Sequence, residues 1–256
     1  MDRLKFLDQR SVKSLEMREF DVTHSERKVP GVLWLSDKVT PGAPLVCLGH
    51  GASGDRYQNP IPVLARRFVE ESGFFCVSID GPVHGRRQKG KGGREAFWPE
   101  WKRPGSGEEM VEDWRAVLSA LSEEKRIGSG ALGYWGLSMG TIYGAPLVAA
   151  EKRIKVAVLG LMGLCGPDSY LKLLSEAVGK IECPILFLQQ LEDELFEREA
   201  YAALFDCLAS KDKRLHANPG LHPQVPLEEL DNSVLFLTNY LNGKTLPRGA
   251  AFSISE

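Results

Sequence analysis

From residue 44 onward the chain repeats one pattern: a short apolar run ending in glycine or a small polar residue, then a segment of helical period. The runs are PLVCLGHG (44–51), FFCVSID (74–80), GALGYWGLS (130–138), KVAVLGLMG (155–163), PILFLQQ (184–190) and the shorter KRLHANPG (213–220). Runs of this length bounded by glycine suit buried strands. Between and after them lie PVLARRFVEESG (62–73), EEMVEDWRAVLSALSEE (108–124), MGTIYGAPLVAAEK (139–152), FEREAYAALFDCLAS (196–210) and PLEELDNSVLFLTNYLNG (226–243), each with apolar residues near helical spacing. Ahead of the alternation, EFDVTH (19–24) and VPGVLWLSD (29–37) read as a hairpin. Strands alternating with helices predict an α/β fold: a mostly parallel, eight-stranded sheet with an N-terminal hairpin and helices on both faces.

A chain of 256 residues that is 43% hydrophobic can bury one large core, and no linker, repeat or low-complexity block divides it. One domain over 1–256 is expected, with its core at about 19–243. Two insertions are expected near the site: an irregular loop at 85–107 and a short helix, PDSYLKLLSEAVG, at 167–179.

A formal net charge of −2 gives no electrostatic support to nucleic-acid binding. The basic run GRRQKGKGGR (85–94) reads as a solvated loop. The five cysteines, Cys47, Cys76, Cys165, Cys183 and Cys207, are widely spaced and form no C-x-x-C. Most sit in apolar runs, as reduced core residues do. No signal peptide and no membrane-length apolar run is present, so a soluble, cytoplasmic protein is expected.

In open parallel sheets, ligands bind beyond the carboxyl ends of the strands. GALGYWG is followed there by Ser138, between Gly136 and Gly140. A serine on a tight strand-to-helix turn is presented above the sheet, at the N-terminus of the helix that starts at Met139. G-x-S-x-G alone is a weak signal, and an ordinary turn serine is the alternative. PLVCL is followed by GHGASGD (49–55), whose small residues let backbone N–H groups face a cavity. The Ala52 and Met139 amides are the expected oxyanion donors, and His50 is expected to be structural.

PILFLQQ is followed by Glu192, Asp193 and Glu194, one of which could orient a histidine. His222 lies in a Pro/Gly turn after the last strand run, whereas His216 sits inside it. Taking Asp193 from the acidic trio, the order Ser138, Asp193, His222 places each residue after a different strand, a more specific signal than any one piece.

Through GHGASGD, SIDGPVHGRR, GLSMG, FLQQLEDELF and NPGLHP, the chain resembles the α/β-hydrolase superfamily over roughly residues 19–243. It looks most like the dienelactone-hydrolase-like group of small serine esterases. The resemblance implies Ser138 as nucleophile, His222 as base, Asp193 as acid, and Ala52 and Met139 as oxyanion-hole amides. Asp80, His84 and Gly85 match mainly structural places. The chain departs from the pattern at three places: serine stands where dienelactone hydrolases use cysteine, Gln189-Gln190 replaces a common His-Gly, and Thr141 stands where a further glycine is common.

These readings together predict a cofactor-independent serine esterase that acts on small-molecule esters of short to medium acyl chain as a monomer or small homo-oligomer. Its activity is expected to rise with pH as the histidine becomes neutral. Phe97, Trp98 and Trp101 are expected to wall the acyl pocket, with plain packing of the loop as the alternative. The same residue set serves thioesterases, peptidases, perhydrolases and carbon–carbon hydrolases, and an inactive binding scaffold is the rival outside enzymes. A nucleotide-binding reading lacks the G-x-G-x-x-G turn after the first parallel strand.

Overall fold

The structure is a computed structural model that describes residues 3–12, 14–88 and 90–247. The frayed tail expected after Lys244 lies, beyond residue 247, outside the described residues. In chain order the elements are β1 (Arg3–Val12), β2 (Leu15–His24), β3 (Arg27–Leu35), β4 (Leu45–Gly49), α1 (Ile61–Arg67), β5 (Phe75–Ile79), α2 (Gly93–Lys102) and α3 (Ser106–Ser122). They continue as β6 (Leu132–Gly136), α4 (Met139–Ala150), β7 (Ile154–Gly160), α5 (Asp168–Val178), β8 (Ile185–Gln190), α6 (Arg198–Cys207), β9 (Lys213–Asn218) and α7 (Leu227–Leu241).

The strands form one nine-stranded sheet in the order β1-β2-β3-β5-β4-β6-β7-β8-β9. Pairing is antiparallel from β1 through β3 to β5 and parallel from β5 to β9. The parallel strands read from sequence are all present. The ninth strand, β1, corrects the expected count of eight. It lies at the sheet edge with most side chains exposed, so it carries little apolar pattern. Its place comes from the ladder to β2 and from Phe6, whose ring meets Phe20 edge-on at 6.4 Å.

The 85–107 segment is also more regular than expected. It holds a 3-10 turn at Gly85–Arg87 and the helix α2, despite Pro99 and the flanking glycines. Burial of Phe97 and Trp101 outweighs the poor local helix propensity. Nor is its start simply solvated: Arg86 pairs with Asp21 at 2.8 Å, and Arg87 pairs with the buried Asp113 at 2.8 Å.

The core lies on both faces of the sheet. α4 is buried at every residue from Met139 to Ala149, as a helix apolar on all sides must be. It is wedged against the sheet and flanked by α3 and α5. All five cysteines are free; Cys47 and Cys76 are buried, whereas Cys207 is exposed. Among the described residues no helix is long and apolar enough to cross a membrane, and no group of three His, Cys, Asp or Glu side chains is placed to hold a metal.

Strand order reverses at β4. The chain steps from β4 to β5 on one side, and β6 then pairs on the other. A crevice opens at the carboxyl ends of the strands where such a reversal occurs. The segments leaving β4 and β6 therefore meet side by side.

Candidate active site

Ser138 joins β6 to α4 with φ 58° and ψ −120°, a backbone region that non-glycine residues seldom occupy. Holding it there costs on the order of 1–3 kcal/mol, so its surroundings must over-determine it. The Ser138 amide donates to Gly160 O at 3.0 Å. Thr141 Oγ1 accepts from the Gly160 amide at 2.8 Å and lies 2.6 Å from Gly160 O and 2.9 Å from Gly136 O, with one proton to share between them. The threonine that departs from the family pattern thus ties the turn to the end of β7.

Both bracketing glycines sit at close approaches. A Cβ on Gly140 would lie 2.7 Å from Gly49 O, and one on Gly136 would lie 2.8 Å from the Tyr134 hydroxyl. Because backbone cannot yield as a side chain can, Gly140→Ala is expected to cost about 1–3 kcal/mol and to displace Ser138. Urea denaturation checks the first effect; wild-type stability in the variant would contradict it.

The His222 imidazole bridges the serine and the acid. Its Nδ1–H donates to Asp193 Oδ2 at 2.8 Å, and Nε2, 2.8 Å from Ser138 Oγ, accepts the hydroxyl proton. This tautomer follows from the partners, since a carboxylate can only accept. Asp193 Oδ1 takes the Leu195 and Phe196 amides at 2.8 and 3.1 Å. Oδ2 also accepts from the Tyr201 hydroxyl. Burial pushes the Asp193 carboxyl up, but the hydrogen bonds from His222, Tyr201 and the Leu195 amide win, and its pKa lies below the ordinary aspartate value.

The other two acids of the trio hold the histidine loop by its backbone. Glu192 accepts the Gly220 amide, and Glu194 accepts the His222 amide at 2.8 Å. That bond from His222 is the main reason the Glu194 pKa is lowered. Gln190 Nε2 donates to Pro219 O and Gln224 O at 3.2 and 2.7 Å. The unexpected Gln190 therefore clamps the turn that carries His222. His216 takes no part; its Nδ1 pairs with Glu229 Oε2 at 2.9 Å.

The loop after β4 is held by two neutral histidines. His50 Nδ1–H donates to Gly51 O, and its Nε2 accepts the Gly81 amide, both at 2.8 Å. His84 Nε2–H donates to Ala52 O at 3.0 Å. Burial pushes the His50 imidazole down to about 3 and lowers His84 as well. Asp80, fully buried, takes Arg56 Nη1 at 2.6 Å and the Arg86 amide at 2.8 Å, joining this loop to the one after β5. Among the described residues neither the Ala52 amide nor the Met139 amide donates a hydrogen bond within the protein.

Ser138, His222 and Ala52 open into a cavity of about 320 Å³. Phe97 and Trp98 line it; Trp101 does not. Trp101 lies behind, with its ring centroid 5.8 Å from that of Phe97 and 5.4 Å from that of Tyr170. α5 contributes no lining residue, so the helical insertion expected near the site buttresses α4 instead, through the Tyr170 hydroxyl on Ile142 O at 2.7 Å. Much of the wall comes from residues the sequence did not single out: Trp135, Leu137, Phe196, Val225 and Leu230.

No protein-family model matches the chain, and a search of curated proteins finds no match. Solved structures do match. A PEG-bound cold-adapted esterase from an Arctic intertidal metagenomic library is 36% identical, over 90% of this chain and 96% of that one, with a TM-score of 0.81. The native structure of a cold-adapted esterase from such a library gives 34% identity, 93% and 99% coverage and a TM-score of 0.79. An acetyl xylan esterase from Paenibacillus sp. R4 shares the fold at 14% identity, with 95% and 89% coverage and a TM-score of 0.70. At the identity and coverage of the first of these, the chain belongs to the same family of carboxylesterase-type hydrolases within the α/β-hydrolase superfamily.

Proposed function

We propose that the protein hydrolyses small-molecule carboxylic esters through an acyl-enzyme intermediate, with Ser138 as nucleophile, His222 as general base and Asp193 as the acid that orients it. One observation carries the reading: the unbroken chain from Ser138 Oγ through the imidazole to Asp193 Oδ2, with both links at 2.8 Å. As Ser138 Oγ attacks the ester carbonyl carbon, its proton passes to His222 Nε2 and the carbonyl oxygen becomes an oxyanion. The free Ala52 and Met139 amides are the donors for that oxyanion, each contributing about 2.7–4 kcal/mol to the transition state. Collapse expels the alcohol, which takes the proton from Nε2. A water, deprotonated by the same nitrogen, then releases the acid and restores the serine.

A cavity of about 320 Å³ walled by Phe97, Trp98 and Leu161 favours short to medium acyl chains. The family relationship to an esterase supports esters over other acyl derivatives. The chain is read as one unit over 1–256 that binds its substrate without another macromolecule.

A panel of p-nitrophenyl esters from acetate to palmitate, with matched thioester and amide substrates, tests this. Acetate and butyrate esters should exceed palmitate by about tenfold or more in kcat/KM, since each misfitting methylene costs specificity. Preference for palmitate would overturn the chain-length reading, and preference for thioester or amide would overturn the ester reading.

A further inference from the structure

The Asp193 carboxylate has a partner that the proposed reaction does not by itself require. The Tyr201 hydroxyl, on α6, donates to Oδ2, the same oxygen that accepts His222 Nδ1–H. Tyr201 is 1% exposed. Its ring meets Phe187 and Phe196 edge-on, with centroids 6.3 and 6.2 Å away. Phe196 in turn sits 5.7 Å from the His222 imidazole. A phenylalanine would serve that packing equally well. A buried hydroxyl must find a partner, and this one has found the acid behind the histidine.

We propose that Tyr201 is a positioning residue, whose hydroxyl fixes Asp193 Oδ2 toward His222 and draws off part of the negative charge that this oxygen presents to the imidazole. This rests on the Ser138–His222–Asp193 reading above. Asp193 Oδ2 is one oxygen serving two donors. An acceptor already engaged by a neutral hydroxyl offers less negative charge to a second donor, and so stabilises an imidazolium less. Without the hydroxyl, Oδ2 holds the protonated imidazole more tightly, and the carboxylate loses a bond that favours its own ionisation. Both changes move the acid limb of activity to higher pH.

The neighbouring ionisable groups do not obscure this. Cys165, from the segment after β7, has its thiol pushed up by burial and stays neutral. Glu194, beside Asp193, has a lowered pKa and is already ionised. The phenol of Tyr201 is itself held protonated by burial and by Asp193.

The test is the pH dependence of kcat/KM for p-nitrophenyl acetate in wild type, Tyr201→Phe and Ser138→Ala. The acid limb of Tyr201→Phe should lie about half to one pH unit above wild type, which is roughly a three- to tenfold loss on that limb, with little change on the plateau. A role in packing alone would not move the limb. An acid limb in Tyr201→Phe that coincides with wild type, or lies below it, while Ser138→Ala is inactive, overturns the role of Tyr201 and leaves the nucleophile assignment standing. Activity persisting in Ser138→Ala overturns both. Should Tyr201→Phe fail to fold, 3-fluorotyrosine at position 201 tests the same bond in reverse. Its more acidic hydroxyl should move the limb to lower pH, and an unmoved limb would count against the proposal.

Discussion

Ser138→Ala should reduce ester hydrolysis by about 10⁴- to 10⁶-fold and leave the fold as it is. Among the described residues the Ser138 side chain makes one hydrogen bond, from Oγ to His222 Nε2. The backbone of the turn is held independently, by the Ser138 amide on Gly160 O and by Thr141 across the same strand end. Alanine can therefore occupy the turn at φ 58° with the same supports and a similar strain. What disappears is the hydroxyl placed both at the helix entrance and on the imidazole. Activity from the free amides and from substrate positioning would remain, well below that of the intact site. The comparison to make is kcat/KM on a short-chain ester beside thermal melting. A stable variant with activity within tenfold of wild type would remove Ser138 from the mechanism.

Asp193→Asn should lower kcat by about 10⁴-fold, for a reason the hydrogen bonds make specific. Oδ1 faces two donors, the Leu195 and Phe196 amides, so the asparagine oxygen must stay there. The amide NH₂ then replaces Oδ2, opposite His222 Nδ1 and the Tyr201 hydroxyl. An NH₂ cannot accept from Nδ1–H, so the imidazole is driven to carry its proton on Nε2, where it faces Ser138 Oγ and cannot act as a base. The Tyr201 hydroxyl loses its acceptor as well, at a cost of about 1–3 kcal/mol.

Stability should change its pH dependence in the same variant. The Asp193 pKa is depressed in the folded state. Its contribution is therefore fully present above the unfolded aspartate value and is lost as pH falls through the folded one. Asp193→Asn lacks that contribution, so the stability gap to wild type should narrow as pH falls. Activity assays and urea melts across acidic pH would show both effects. Near-normal kcat in Asp193→Asn would mean that another group orients His222.

Ser138, Asp193 and His222 were legible in the sequence because each directly follows a strand run, and parallel strands must present their carboxyl ends along one edge. The structure brings those three within hydrogen-bonding reach from positions as much as 84 residues apart. Other parts carry no such local signal. β1 is an exposed edge strand whose pairing, not its apolar pattern, makes it a strand. α2 forms because Phe97 and Trp101 are buried, against the preference of Gly93 and Pro99.

The supports of the site were equally silent. Thr141, Gln190 and Tyr201 each act through one side-chain hydroxyl or amide, on Gly160, Gln224 and Asp193 respectively, and nothing in their immediate sequence says where those atoms point. Sequence could offer three consecutive acids. The order of motifs and the resemblance picked Asp193 for the imidazole, but nothing in the trio told that Glu192 and Glu194 take the two backbone amides of the histidine loop.

The central claim is that Ser138 is an activated nucleophile, and covalent labelling tests it most directly. The folded protein would be treated with a fluorophosphonate probe and its peptides mapped by mass spectrometry, with Ser138→Ala alongside. Labelling confined to the peptide that carries Ser138, and absent from Ser138→Ala, is the predicted result. Folded wild-type protein that takes no label, or takes it at another serine, would contradict the account.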